Sequence, residues 1–245
     1  MRTLFAAVYL LLGGVVLFAQ AENYEFDNFT VTVQKNILSV KSVSGETIYT
    51  RQFDNLKEFT SDLDGDSIPE FCVSEEMKNG NNTIYKMLVY NTVDTFTLAD
   101  SLESLNMEPY SVADEDSGQL VFVAADTNFL RFAGDVPVTA AVNCYEFDGL
   151  NFVQINDQIY DIFMRQNEEI VDSLDNFFDD NSNDCASSKK VLSLIASLYV
   201  NYKNADENSI SLHLLNKYYF CSDLLDFKSK LDGLLKVEKN EDKLE

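Results

Sequence analysis

Asp62-Leu63-Asp64-Gly65-Asp66-Ser67-Ile68-Pro69-Glu70-Phe71-Cys72-Val73 sets three aspartates at alternate positions, a glutamate four residues after the last, and an apolar, β-prone run directly behind. A hard cation such as Ca2+ takes about six to eight oxygen ligands. A tight loop can aim its first, third and fifth side chains at one point, and Gly65 frees the backbone between two of them. Carboxylates that close repel one another, which is the physical reason to look for a cation. Asp and Gly are also ordinary turn residues, so the other reading is an acidic, solvated hairpin turn.

An EF-hand needs a bidentate Glu at its twelfth loop position and Gly at its sixth. Counted from Asp62, those positions hold Val73 and Ser67, which excludes it. The stretch resembles instead the FG-GAP/VCBS repeat of integrin-like β-propellers, whose loops read D-x-D-x-D-G-x-x-D ahead of a hydrophobic strand. Asp62, Asp64 and Asp66 fall on the first, third and fifth positions and Glu70 on the ninth. The resemblance implies that the backbone carbonyl of Ile68 fills the seventh, and that the bound ion is structural Ca2+ fixing the start of the Phe71 strand. Ser67 stands where these loops carry Gly, and Glu70 where they carry Asp. The resemblance spans at most residues 24–155, and its specific part is the run from Asp62.

The same order recurs downstream. Ala113 to Val123 lies on Leu63 to Val73, with Asp114 on Asp64, Asp116 on Asp66 and Ser117 on Ser67. Val112 and Leu120 replace Asp62 and Glu70, so this unit loses two side-chain ligands and is expected to hold no metal. Val142 to Gly149, turning into Phe152 to Ile155, matches the strand–turn–strand of Met87 to Leu98. Repeats bury a core by stacking. A propeller closes with about four to eight blades; this chain has room for two or three, so an open stack is expected, completed by the C-terminal part or by a partner.

Working outward, Phe29, Val31 and Val33 alternate with threonines, the pattern of a half-buried strand, and Ile37, Leu38, Val40 and Val43 continue it. Ser44-Gly45-Glu46 turns into Thr47–Thr50. After the acidic loop come a strand at Phe71, a turn at 78–82, a strand from Ile84 to Tyr90 and a short one at 96–98. Near Ile155 the period becomes helical. Ile159, Ile162, Phe163, Ile170, Leu174, Phe177 and Phe178 form a stripe over 157–178. A polar hinge follows at 179–184, then a helix capped by Ser187 or Ser188, a break at 204–206, a third helix carrying Ile210, Leu212, Leu214, Leu215 and Tyr218, and a fourth capped by Ser222. The tail from Lys236 is expected to fray. The fold class is α+β: antiparallel, blade-like β repeats over 22–155, then a helical region over 156–245. This region forms either a cap on the β part or a small domain of its own.

Residues 1–21 combine Met-Arg, an uncharged apolar core and an Ala19-Gln20-Ala21 exit, the design of a secretory signal peptide cleaved near Ala21. The expected product is secreted or periplasmic, with no stable membrane insertion. A formal charge of −23 argues against nucleic acid and anionic lipid as partners. Four cysteines in an exported chain invite disulfides: Cys185 and Cys221 flank helices and can pair, while Cys72 and Cys144 lie in strands, either buried or bridged to each other. His213 is the single histidine, and there is no G-x-S-x-G, phosphate-cradling loop or H-E-x-x-H, so the motifs argue against an enzyme. The expected role is binding or scaffolding toward a protein or glycan at or outside the cell envelope. Two readings stand beside it: a carboxylate-based, carbohydrate-active hydrolase, and a structural envelope protein with no metal.

Overall fold

The computed structural model describes residues 21–113, 119–132, 137–156, 159–180, 185 and 188–241. The chain is α+β. Its strands form three four-stranded antiparallel meanders, each built in chain order. The first holds β1 (Glu22–Glu25), β2 (Phe29–Gln34), β3 (Ile37–Ser42) and β4 (Thr47–Gln52). The second holds β5 (Leu56–Ser61), β6 (Glu70–Asn79), β7 (Asn82–Asn91) and β8 (Thr97–Leu105), and the third β9 (Tyr110–Ala113), β10 (Leu120–Ala125), β11 (Val142–Phe147) and β12 (Phe152–Gln154). Four helices follow: α1 (Tyr160–Asp180), α2 (Lys189–Asn204), α3 (Asn208–Tyr218) and α4 (Leu224–Glu241). Among the described residues no helix is long and apolar enough to cross a membrane.

The sheets stack face to face, and the sequence pattern of each strand follows from how many of its faces are covered. Phe29, Val31, Val33, Leu38 and Val40 of the first sheet pack on Phe71, Val73, Leu88 and Tyr90 of the second. The other face of the second sheet, Cys72, Met87, Val89 and Leu102, packs on Phe122, Ala124 and Phe147 of the third. The far face of the third, Val121, Val123, Val142 and Cys144, is covered by Ile162 and Phe163 of α1. A strand segment covered on both faces reads as an unbroken apolar run, as Phe71–Val73 of β6, Met87–Tyr90 of β7 and all of β10 do; one covered on a single face alternates, as β2 does. The helical region is therefore a cap on the last sheet.

Both repeat correspondences fall on equivalent strands. The acidic loop joins the first and second strands of the second sheet, and Ala113 to Gln119 joins the first and second strands of the third. Met87–Leu98 and Val142–Ile155 both cover a third strand, its turn and the start of a fourth. Asp114, Asp116 and Ser117 lie outside the described residues, as do residues 1–20, Ser187 and 181–184.

α2 is buried almost all round, with Val191, Leu194, Ile195, Leu198 and Tyr199 in the helical core. A polar stripe at helical spacing binds it to the chain leading into β11. Ser193 Oγ accepts from Thr139 N–H, Ser197 Oγ donates to Thr139 O, Asn201 Oδ1 accepts from Val142 N–H, and Asn204 Nδ2 donates to Val142 O. These bonds satisfy buried backbone groups where the sheet itself supplies no partner. Ser188 caps α2 by accepting from Val191 N–H. Cys185 and Cys221 form a disulfide, Cα–Cα 5.3 Å, closing the α2–α3 hairpin as expected.

Several expectations are corrected. β8 runs from Thr97 to Leu105 and pairs with β7 along its length, well beyond 96–98. β5 is an edge strand the pattern does not announce. Ser211, Leu215 and Tyr218 form the buried face of α3, while Ile210 and Leu212 point outward. The first turn of α4 starts from the Asp223 carbonyl, which accepts from Phe227 N–H, so Asp223 and not Ser222 holds the cap position. α4 continues as helix to Glu241, past the point where fraying was expected. Cys72 and Cys144 are free, buried and directed to opposite faces of the third sheet's packing, so they do not pair. Burial pushes both thiols up, Cys144 to about 12, which leaves them protonated and unreactive at neutral pH.

Candidate metal centre

The acidic loop leaves β5 at Asp62 and enters β6 at Glu70. Its aspartates fold it locally. Asp62 accepts from Gly65 N–H at 2.8 Å and, through its other oxygen, from Ser67 N–H at 3.0 Å. Asp64 Oδ1 accepts from Asp66 N–H at 3.1 Å, and Asp66 Oδ1 from Ile68 N–H at 2.7 Å. Gly65 and Ser67 both take left-handed φ, +83° and +72°. Glycine has no penalty there, whereas serine does. Ser67 therefore carries a backbone cost that a glycine at the same position would avoid. Thr92, in the β7–β8 turn, donates to Pro69 O at 2.7 Å and ties down the end of the loop.

Asp62, Asp64 and Glu70 each offer an oxygen within 4.8 Å of the other two. Asp66 does not join this group, and Ile68 is an exposed residue whose amide is taken by Asp66. Glu70 is only 8% exposed and accepts from Leu63 N–H at 2.9 Å, while Leu63 itself is buried between the second and third sheets. Burial raises the Glu70 carboxyl above its usual range, and the Asp64 and Asp66 charges push the same way against the Leu63 N–H. Among the described residues no Lys or Arg forms an ion pair with any of the three. The donor set is all oxygen and negative, which suits a hard divalent cation and not a soft one. Each carboxylate has lone pairs left after its backbone hydrogen bonds, so the set fits an ion.

The loop also meets the third sheet. In the β11–β12 turn, Asp148 accepts from Leu150 and Asn151 N–H, which holds its carboxyl below the usual range. The next residue, Gly149, has φ +90°, and a Cβ built there falls 2.6 Å from Asp64 Oδ2. Asp64 thus lies against the backbone of a neighbouring sheet. The spacing announced Asp62, Asp64, Asp66 and Glu70; Gly149 had no signal beyond the ordinary Asp-Gly turn, because the contact joins residues far apart in sequence. His213 is exposed on α3, away from this loop.

Compared with known proteins, the chain matches no family model, no curated protein and no solved structure.

Proposed function

We propose that the chain is a secreted or periplasmic calcium-binding β-repeat module of the FG-GAP/VCBS kind, with a binding or scaffolding role toward a protein or glycan. The observation that carries this reading is the convergence of Asp62, Asp64 and buried Glu70 within 4.8 Å, unpaired by any cationic side chain among the described residues. A divalent ion bound there supplies the missing positive charge. The chain's own part is to present the oxygens: Asp62 and Asp64 from the loop, Glu70 from the first residue of β6. Their backbone hydrogen bonds hold the carboxylates in place before any ion arrives. Because Asp64 abuts Gly149, a loop held rigid also holds the second sheet to the third. The disulfide between Cys185 and Cys221 fits an oxidising, extracytoplasmic compartment.

The test is thermal melting of the protein in EGTA, in millimolar Ca2+ and in millimolar Mg2+, beside Asp64→Ala and Glu70→Gln. A ligand that binds only the folded state at about 100 times its Kd adds about 2.7 kcal/mol. Stabilisation by Ca2+ in the parent, lost in both variants, is the expected result. If neither cation moves the melting temperature, the loop is an acidic turn and the calcium reading is wrong.

A further inference from the structure

The turns at one end of the stack share a feature that the other end lacks. Because successive strands run antiparallel, the turns after the first and third strands of each sheet lie at the same end. Asn28 Nδ2 donates to Val93 O at 3.3 Å, and Asn28 O accepts from Val43 N–H at 3.2 Å, which joins the β3–β4 turn to the β7–β8 turn. Asp100 of β8 accepts from Phe152 N–H of β12 at 2.8 Å, which joins the last hairpin of the second sheet to that of the third. The third and fourth strands of the three sheets thus form a row of hairpins. Each hairpin carries one aliphatic residue in its turn and another at the second position of its fourth strand: Val43 and Ile48, Val93 and Leu98, Leu150 and Val153. All six are exposed, by between 44% and 79%. Turn positions ordinarily carry polar residues. At the other end of the first two sheets the turns do so, as Lys35-Asn36 and Gly80-Asn81.

Exposed aliphatic side chains repeated in the same place on three sheets mark a surface for a partner. Its charge selects the partner's sign. Each turn holds one acid, Glu46, Asp94 or Asp148, and none of residues 43–46, 92–96 and 148–151 is Lys or Arg. Asp64 of the acidic loop adds another negative group beside Gly149. The matching partner carries basic residues around its apolar anchors, and anionic lipid is repelled. The spacing selects the partner's form. Sheets packed face to face lie about 10 Å apart. Along an α-helix, residues seven apart share one face and are separated by about 10.5 Å. In an extended strand about 10 Å is three residues, which puts successive anchors on opposite faces. A helix therefore meets all three hairpins with one stripe, and a single strand does not.

We propose that the row of β3–β4, β7–β8 and β11–β12 hairpins docks a basic amphipathic helix of a partner protein, its apolar stripe on the six aliphatic side chains and its Lys or Arg residues facing Glu46, Asp94 and Asp148. This rests on the binding role proposed above, for which it names the partner class, and not on the calcium reading. The test is therefore run in EGTA, where failure of the metal site leaves it untouched.

The probe is a labelled peptide of three Leu-Lys-Lys-Leu-Leu-Lys-Lys repeats, titrated with the full chain in EGTA and 150 mM NaCl and read by fluorescence anisotropy. Two control peptides replace every Leu by Ala, which keeps the charge and the helix, or every Lys by Glu, which keeps the apolar stripe. The proteins are the parent, the Val93→Ser/Leu150→Ser double variant, Asp94→Lys and, as a control, Leu225→Ser, an exposed leucine of α4. Expected is saturable binding of the Leu–Lys peptide to the parent, weakened tenfold or more by the double variant, a few-fold by Asp94→Lys and not by Leu225→Ser, with both control peptides at least tenfold weaker. No saturable binding overturns the proposal. So does equal binding of the Ala–Lys peptide, which is diffuse attraction to an acidic chain, or an equal loss in Leu225→Ser. If the parent binds no peptide but floats with neutral phosphatidylcholine vesicles, and the double variant does not, the surface meets lipid and the proposal falls. Asp94→Lys and the control peptides keep the test decisive if the double variant does not fold.

Discussion

Replacing Gly149 with Ala probes the contact between the acidic loop and the third sheet, and it does so without substituting any carboxylate. Two penalties act. At φ +90° a residue with a Cβ loses about 1–2 kcal/mol, of which alanine's more restricted unfolded chain returns about 0.4–1. The new Cβ also falls 2.6 Å from Asp64 Oδ2, where ordinary contact begins near 3.4 Å. The Asp64 carboxylate must swing away, giving up the Asp66 N–H bond at Oδ1, a further loss of about 0.5–1.5 kcal/mol. Together these come to about 2 kcal/mol. Urea unfolding in EGTA reads it, in a cycle of parent, Gly149→Ala, Asp64→Ala and the double variant. With Asp64 truncated, the steric part disappears and the loss on adding Gly149→Ala falls to about 1 kcal/mol. A loss that is the same in both backgrounds would refute the loop–turn contact, and no loss in either would refute the left-handed turn.

Ser67→Gly should stabilise the protein by about 0.5–1 kcal/mol, since it relieves a left-handed serine and gives back part of that in unfolded-state entropy; a lower urea midpoint would contradict this. Burial raises the Asp126 carboxyl, opposed by the Asn128 N–H and side chain and by the Arg131 charge. A raised folded-state pKa means this group favours the folded state below its unfolded value near 3.8 and withdraws that support as pH rises through the folded value. Asp126→Asn should therefore gain stability relative to the parent as pH is raised from 3.5 to 7, and parallel pH profiles would count against the burial argument. Reducing Cys185–Cys221 opens a loop of 36 residues, about 4 kcal/mol in the chain-entropy account, and should lower the melting temperature by roughly 10 °C. An unchanged melt would show that helix packing alone holds the α2–α3 hairpin.

Local signals were legible wherever one stretch of chain settles its own conformation. Alternation in Phe29–Val33, the apolar run at Phe71–Val73, the helical stripe of α1, Ser188 as a cap and the Cys185–Cys221 pair all depend on residues near in sequence or on a simple count. The spacing announced Asp62, Asp64, Asp66 and Glu70 together, and a tight loop does gather Asp62, Asp64 and Glu70, while Asp66 does not join that group. β5 escaped notice and β8 was read too short because Lys57-Glu58 and Ala99-Asp100-Ser101 are poor strand formers, held extended by their pairing with β6 and β7. The stripe Ser193, Ser197, Asn201 and Asn204 sits at a readable spacing, yet what it binds is a segment some 60 residues earlier in the chain.

By itself, the sequence determined that strands come first and helices after, where the acidic loop lies and that Phe29–Val33 is half-buried, since these follow from periodicity and turn chemistry. Tertiary structure alone decided that the helices cap the third sheet, that Cys72 and Cys144 face different layers, that Asp64 rests on Gly149, and that Asp126 is left with a buried, unpartnered oxygen. Each of these depends on which surfaces meet when whole sheets stack. That choice is made by the sum of many weak apolar contacts between distant segments, and no single stretch of sequence carries it.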